Sequence, residues 1–153
     1  MIIIYIDADA CPVKDEVYRV AKRHGLEVIV VANSTMRIPT DTQISLEIVS
    51  DGFDAADDWI VEHAGPGDIV ITGDILLASR CLPNGVFVLG NTGKPFTEET
   101  IGDVLIAREL SAELREMGMM KGGPAPFQKK DRSEFLQQLE TAIILIRRKS
   151  KKA

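Results

Sequence analysis

Cysteine is scarce in this chain of 153 residues: Cys11 and Cys81 are the only two. They are too few, and too far apart in sequence, for a disulfide framework or a zinc cage, so reduced thiols in a cytoplasmic protein are expected. Histidine is equally scarce. His24 and His63 each stand near a predicted helix end, with no second His or Cys at ligand spacing. Capping is therefore expected of them rather than metal binding. No apolar run approaches the roughly 20 residues of a membrane span, so no membrane partner is expected. The opening MIIIYID has neither a basic leader nor a cleavage-like site, and reads as a strand rather than a signal peptide. An excess of positive charge is missing too. Eighteen Lys and Arg face 23 Asp and Glu, a net charge of -5. That excludes a protein that coats nucleic acid indiscriminately, but not an enzyme that grips a few phosphates locally.

What is present is the balance of a soluble globular chain, 45% hydrophobic and 27% charged. The length suits one domain, 1–153, with a sizeable core. The charge is uneven. Residues 147–153 hold five cations and no acid, which leaves 13 cations against 23 acids, a net of -10, in residues 1–146. The simplest reading of the basic tail, 150–153, is a solvated helix end, where cations suit the negative pole of the helix. A nucleic-acid arm is the alternative.

Residues 2–6 are a continuous β-branched run, as in a strand buried on both faces. Pro12 suits the first turn of a helix over 12–24, and Gly25 its C-cap. Strands follow at 27–32 and 44–49, separated by a turn-rich loop, 33–42. A helix over 54–64 ends at Gly65-Pro66-Gly67. A fourth strand, 68–72, leads to a short helix, 75–81, and a fifth strand, 86–89. Two helices, about 98–117 and about 133–149, complete the chain. Strands and helices alternate with short connections. This is the pattern of an α/β three-layer sandwich around a mainly parallel sheet, here with a helical C-terminal extension.

In open parallel sheets, ligands bind beyond the carboxyl ends of the strands. Strand one ends in Asp7-Ala8-Asp9. Asp54, Asp57 and Asp58 follow strand three, and Asp74 follows strand four. Asp54 shares a helix face with Asp57 or Asp58. Acids from three segments would thus meet at one edge. Each like-charged pair at about 5 Å repels by roughly 3 kcal/mol at an effective dielectric near 20. A divalent cation offsets that, and hard oxygen ligands select Mg²⁺ or Mn²⁺. The alternative is a raised pKa on one carboxyl. Taken singly, Asp9 and Asp54 read as helix N-caps, and Asp51 and Asp68 as turn residues. Their convergence favours a metal site able to activate water for phosphodiester hydrolysis.

Cys11 lies at a helix N-terminus, but Val17 stands where a Cys-x5-Arg phosphatase needs arginine. A small buried residue is the expectation. Arg37, and Lys121, Lys129, Lys130 and Arg132 around the second glycine-proline loop, can hold phosphates or form a solvated basic surface. Phe135, Leu136, Leu139, Ile143 and Ile146 form an apolar stripe, either core or a homo-oligomer contact.

Several runs carry a resemblance. DADACPVK (7–14), VANS with Arg37-x-Pro39, GFDAADDWI (52–60), GDIVITGDILLA (67–78), GGPAPF (122–127) and Asp131-Arg132 resemble the YaiI/YqxD family of uncharacterised bacterial proteins. The similarity covers nearly the whole chain and extends to the PIN-domain group, mostly Mg²⁺- or Mn²⁺-dependent nucleases with acids at one sheet edge. The resemblance implies a PIN-like fold. Asp7 corresponds to the first-strand acid of such sites and Asp74 to the acid after a later strand. Asp9, Asp54 and Asp57 belong to the family's own motifs. Asp58 stands outside them, and a late fourth acid has no clear counterpart beyond Asp103. The implied activity is hydrolysis of RNA or DNA. Asp7, Asp9, Asp57 and Asp74 would be catalytic, and Asp7, Asp9, Asp54, Asp57 and Asp74 would bind metal. Asn33, Ser34, Arg37 and Lys121 would contact substrate. Two rivals follow from the same residues. Asp7-Ala8-Asp9 after a hydrophobic strand also suits a haloacid-dehalogenase-like phosphatase with Asp7 as nucleophile. A PIN-like scaffold could instead bind nucleic acid or protein without cutting.

Overall fold

The computed structural model describes residues 2–9, 11–50, 52, 54–118 and 127–152. Six strands form one sheet: β1 Ile3–Asp7, β2 Glu27–Ala32, β3 Ile44–Ile48, β4 Ile69–Ile71, β5 Phe87–Leu89 and β6 Pro95–Phe96, in the order β3-β2-β1-β4-β5-β6. β1 to β5 are mutually parallel, and β6 returns antiparallel to β5. The helices are α1 Lys14–His24, α2 Ala55–His63, α3 Ile75–Cys81, α4 Glu98–Glu116 and α5 Lys129–Lys152. The expected α/β three-layer architecture and mainly parallel sheet are both present.

The strands show why this sequence takes the doubly covered arrangement. Alternate residues face opposite sides of a strand. Ile4 and Ile6 of β1, Val28 and Val30 of β2, and Ile69 and Ile71 of β4 face α1 and α5. Tyr5, Val31, Val70 and Val88 face the layer of α2, α3 and α4. Both faces are buried, so a strand alternating apolar with polar residues would fail here.

Three details differ from the sequence expectation. β6 is an unforeseen edge strand of two residues. Pro95 cannot donate to a ladder, so it belongs at such an edge. The turn into it brings the Gly90 amide 2.9 Å from the Lys94 carbonyl. α5 begins at Lys129 rather than Ser133, where the Asp131 carboxylate accepts from the Gln128 amide at 2.8 Å. It also continues to Lys152 rather than ending near Lys149, so the basic residues form the helix end that their simplest reading gave them.

The apolar stripe of α5 lies in the chain's own core. Phe135, Leu139, Ala142 and Ile143 are buried together with Val13, Val17 and Val20 of the α1 segment. Gly93 shows how closely α5 sits. A Cβ added there would lie 2.9 Å from the Glu134 carbonyl oxygen, and its φ of +90° also favours glycine. Among the described residues, no helix is long and apolar enough to cross a membrane.

Candidate active site

The strand order reverses between β1 and β4. Chain segments leave β1 for β2 and β3 on one side, and β4 leads to β5 and β6 on the other. A crevice forms at the carboxyl ends of two such strands. Asp7 is the last residue of β1, and Thr72 directly follows β4.

Both side chains are nearly inaccessible, Asp7 at 8% and Thr72 at 1%. The Thr72 hydroxyl donates to Asp7 Oδ2 at 2.8 Å. It accepts in turn from the Asp74 amide at 3.0 Å. The Asp74 carboxylate then caps α3 by accepting from the Leu76 amide at 2.9 Å. Thr72 is the functional candidate that sequence reasoning missed. Its signal was its place at the end of β4, directly before Gly73-Asp74. A hydroxyl there can donate to an acid on the adjacent strand, but only the pairing of β1 with β4 reveals which acid.

Asp54 stands at the α2 N-terminus, yet its side chain makes no capping hydrogen bond. Its φ of 60° is the only left-handed value at a non-glycine residue among those described. That geometry leaves the carboxylate uncommitted to its own helix and costs on the order of 1 kcal/mol. Asp9 does not cap a helix either, since Val13 holds the α1 N-cap position. The capping alternative therefore fails for both acids. It holds for Asp74. Asp68 is the turn residue expected, accepting from the Gly65 and Ile3 amides at 2.9 and 3.1 Å.

A polar cleft of about 170 Å³ gathers Asp7, Asp9, Asn33, Asp54 and Asp57 against the small walls of Gly52, Ala55 and Ala56. Asp74 lines a neighbouring cleft of about 430 Å³ with Phe96, Arg108 and Ser111. In the first cleft, Asn33 is fixed by donating from Nδ2 to the Ser50 carbonyl at 2.8 Å. Ser34 and Arg37 are exposed on the following loop and line neither cleft. Lys121 lies outside the described residues. Asp58 is turned away into an exposed ion pair with Arg80 at 2.8 Å. Asp103 is exposed on α4 and lines neither cleft.

The acids form one electrostatic unit across both clefts. Asp57 is pushed up to about 6, first by burial and then by Asp7, Asp74 and Asp54, with Arg80 opposing. Burial also raises Asp7, against the hydrogen bonds from Thr72 and the Asp9 backbone, while Asp9 and Asp74 add repulsion. The thiols do not join this chemistry. Cys11 and Cys81 are buried and free, and burial raises both, Cys81 to about 11. His63 Nδ1 lies 2.7 Å from the Trp59 carbonyl, one turn back in α2, a contact within the helix rather than a cap at its open end.

The donor set is all hard oxygen, which suits Mg²⁺ or Mn²⁺ and not zinc. Among the described residues, no three His, Cys, Asp or Glu side chains already enclose a metal-sized position. A dehydrated all-protein cage therefore does not fit. A cation that keeps most of its water and leans on one or two carboxylates does fit, and that is the usual manner of Mg²⁺.

Asp57 gives a prediction that needs no metal. A carboxyl whose pKa is higher folded than unfolded binds its proton more tightly in the folded state. Its charged form then lowers stability as pH rises from about 4 through 6. Asp57→Asn is therefore expected to stabilise the protein at pH 7.5 by about 1 kcal/mol, after discounting for solvent screening at this half-buried position. At pH 4, close to the unfolded pKa, most of the gain is lost. Urea denaturation at the two pH values checks this, and an equal effect at both would refute it.

Comparison with known proteins places the chain among close relatives. The family model described as the uncharacterised bacterial YaiI/YqxD family matches residues 5–145. A UPF0178 protein of Rhodopseudomonas palustris (strain BisB18) is 55% identical over 150 residues, 98% of this chain and 97% of the relative. One from Bradyrhizobium sp. (strain ORS 278) is 56% identical over 147 residues, 96% of this chain and 90% of the relative. One from Caulobacter sp. (strain K31) is 54% identical over 148 residues, covering 97% and 98%.

Proposed function

The chain belongs to the YaiI/YqxD family, and we propose that its acid cleft makes it a divalent-metal-dependent nuclease of PIN-like design, hydrolysing phosphodiesters in RNA or DNA. The observation that carries this reading is the gathering of Asp7, Asp9, Asp54 and Asp57 in one small polar cleft, electrostatically joined to Asp74. Four acids held this close are destabilising on their own, and a cation relieves them.

Asp7, held by Thr72, would be one direct ligand and Asp9 or Asp54 a second, with the remaining carboxylates of the cleft hydrogen-bonded to the waters of a hydrated Mg²⁺ or Mn²⁺. The ion, when bound, supplies Lewis acidity and a water of lowered pKa. Asp57, on the wall of the same cleft, would accept the proton of the attacking water. Asp74 orients α3 through its cap and adds negative charge at the far wall. Asn33 in the cleft and Arg108, which lines the same cleft as Asp74, would engage the phosphate chain, with Ser34 and Arg37 as outer contacts; Lys121 remains a candidate from the sequence alone.

Calorimetric titration with Mn²⁺ at pH 7.5 tests the reading. Saturable binding to the wild type, weakened at least tenfold in Asp7→Asn, is expected. Absence of binding by a folded wild type would overturn it.

A further inference from the structure

We propose that a second site, at the opposite end of the sheet from the acids, binds a small organic anion with an apolar body. A cavity of about 870 Å³ opens there, within the usual range for small-molecule sites. It lies at the amino ends of the parallel strands. Ile2 precedes β1, Leu26 precedes β2, Gly67 leads into β4, Val86 precedes β5, and the last turns of α5 form the remaining wall. The site is thus separated from Asp7 by the length of β1.

The lining divides by chemistry. Ile2, Leu26, Val86, Phe87 and Ile146 supply an apolar surface. Three turns that close the base end in glycines with left-handed φ, Gly25 at +68°, Gly67 at +87° and Gly85 at +78°. The conformation demands glycine, and the missing side chains leave the volume open. The ionisable lining residues are His24, Arg147 and Lys149, with no acid among them. This is notable in a chain whose first 146 residues carry a net charge of -10.

Arg147 is preorganised. Its Nη2 donates to the His24 carbonyl at 2.8 Å, and its Nη1 to His24 Nδ1 at 3.1 Å. Arginine only donates, so Nδ1 must accept and the imidazole proton sits on Nε2. Nε2 is 2.7 Å from Glu140 Oε2, which accepts that proton's hydrogen bond. The ring is neutral in this arrangement, and burial, Arg147 and Arg23 hold its pKa below the ordinary value. Glu140 is occupied by His24 and Arg23, and does not line the cavity. The net charge at the mouth is therefore that of Arg147 and Lys149. The remaining guanidinium donors suit a carboxylate or phosphate head, and the apolar wall suits a short acyl chain or ring. A neutral apolar ligand would leave the cations unused. A nucleic-acid backbone would have no use for the apolar recess.

The test is displacement of anilinonaphthalene sulfonate, itself an apolar anion, by octanoate. Octanoate is expected to compete at one saturable site. Octanol of the same chain length should compete at least tenfold more weakly. Arg147→Met keeps the apolar stem and removes the charge, and should weaken octanoate about 10- to 100-fold. Lys149→Met should weaken it less. Asp7→Asn should leave it unchanged, which separates this site from the acid cleft. Absence of octanoate competition, equal competition by octanol, or indifference to Arg147→Met in a folded variant would each overturn the proposal.

Discussion

Asp7→Asn is expected to remove roughly 10²–10³-fold of the hydrolytic rate on a single-stranded RNA or DNA substrate in Mn²⁺, while the folded state stays within about 1 kcal/mol of wild type. The two halves of this result have separate physical origins. The rate falls because the variant loses the one carboxylate of the cluster that is fixed by a buried hydrogen bond, from Thr72 at 2.8 Å. Stability holds because Asp7 already bears a desolvation penalty in its charged form. The amide oxygen can still accept from Thr72, and removing a buried charge offsets the poorer reception of the Asp9 amide. A hydrolysis assay paired with urea denaturation reads both. Undiminished cleavage by Asp7→Asn would remove the cluster from the reaction. A phosphate ester trapped on Asp7 of the wild type would instead favour the nucleophile role that a haloacid-dehalogenase-like enzyme gives that residue.

The legibility of this site follows from the range of the forces that build it. Hydrophobic runs report strands directly, because a strand covered on both faces needs apolar side chains in succession. β1, β2 and β4 were visible for that reason, and so was the placement of Asp7 and Asp74 at their carboxyl ends. What a linear pattern does not encode is which strand ends become neighbours. The pairing of β1 with β4 turns Thr72 from a strand-end residue into the hydrogen-bond donor of Asp7. Likewise, the capping reading of Asp54 was reasonable from its position, and only its φ of 60° shows a carboxylate not used by its helix. Arg108 lay hidden for a related reason. Its helix is largely exposed, and its place in the cleft that Asp74 lines depends on how α4 packs on α3. β6 escaped notice because two residues carry no period, and because its proline argues against a strand anywhere but an edge.

The C-terminal helix supplies the sharpest stability test, because it reads from sequence as an appendage and sits in the structure as a layer. Phe135→Ala is expected to cost about 3–5 kcal/mol. For a chain of this length that lowers the melting temperature by roughly 10–15 °C. Phe135 is fully buried among the largest core side chains, in the cluster shared by β1, α1 and α5. Its backbone lies against Gly93, so the turn between β5 and β6 cannot move inward to refill the space without displacing α5 itself. A cavity would therefore remain, and its lining would lose contacts in addition to the transfer energy of the ring. Ile144→Ala, on the same helix at a residue 45% exposed, is the matched control. Alanine is the better helix former, and little apolar area leaves the core, so the change should stay within about 0.5 kcal/mol. Thermal denaturation of the pair separates the two roles for α5. A large difference places the helix in the folding unit that supports β1, and through it Asp7. Equal, small effects would mean that the sheet and its acid cleft stand without α5.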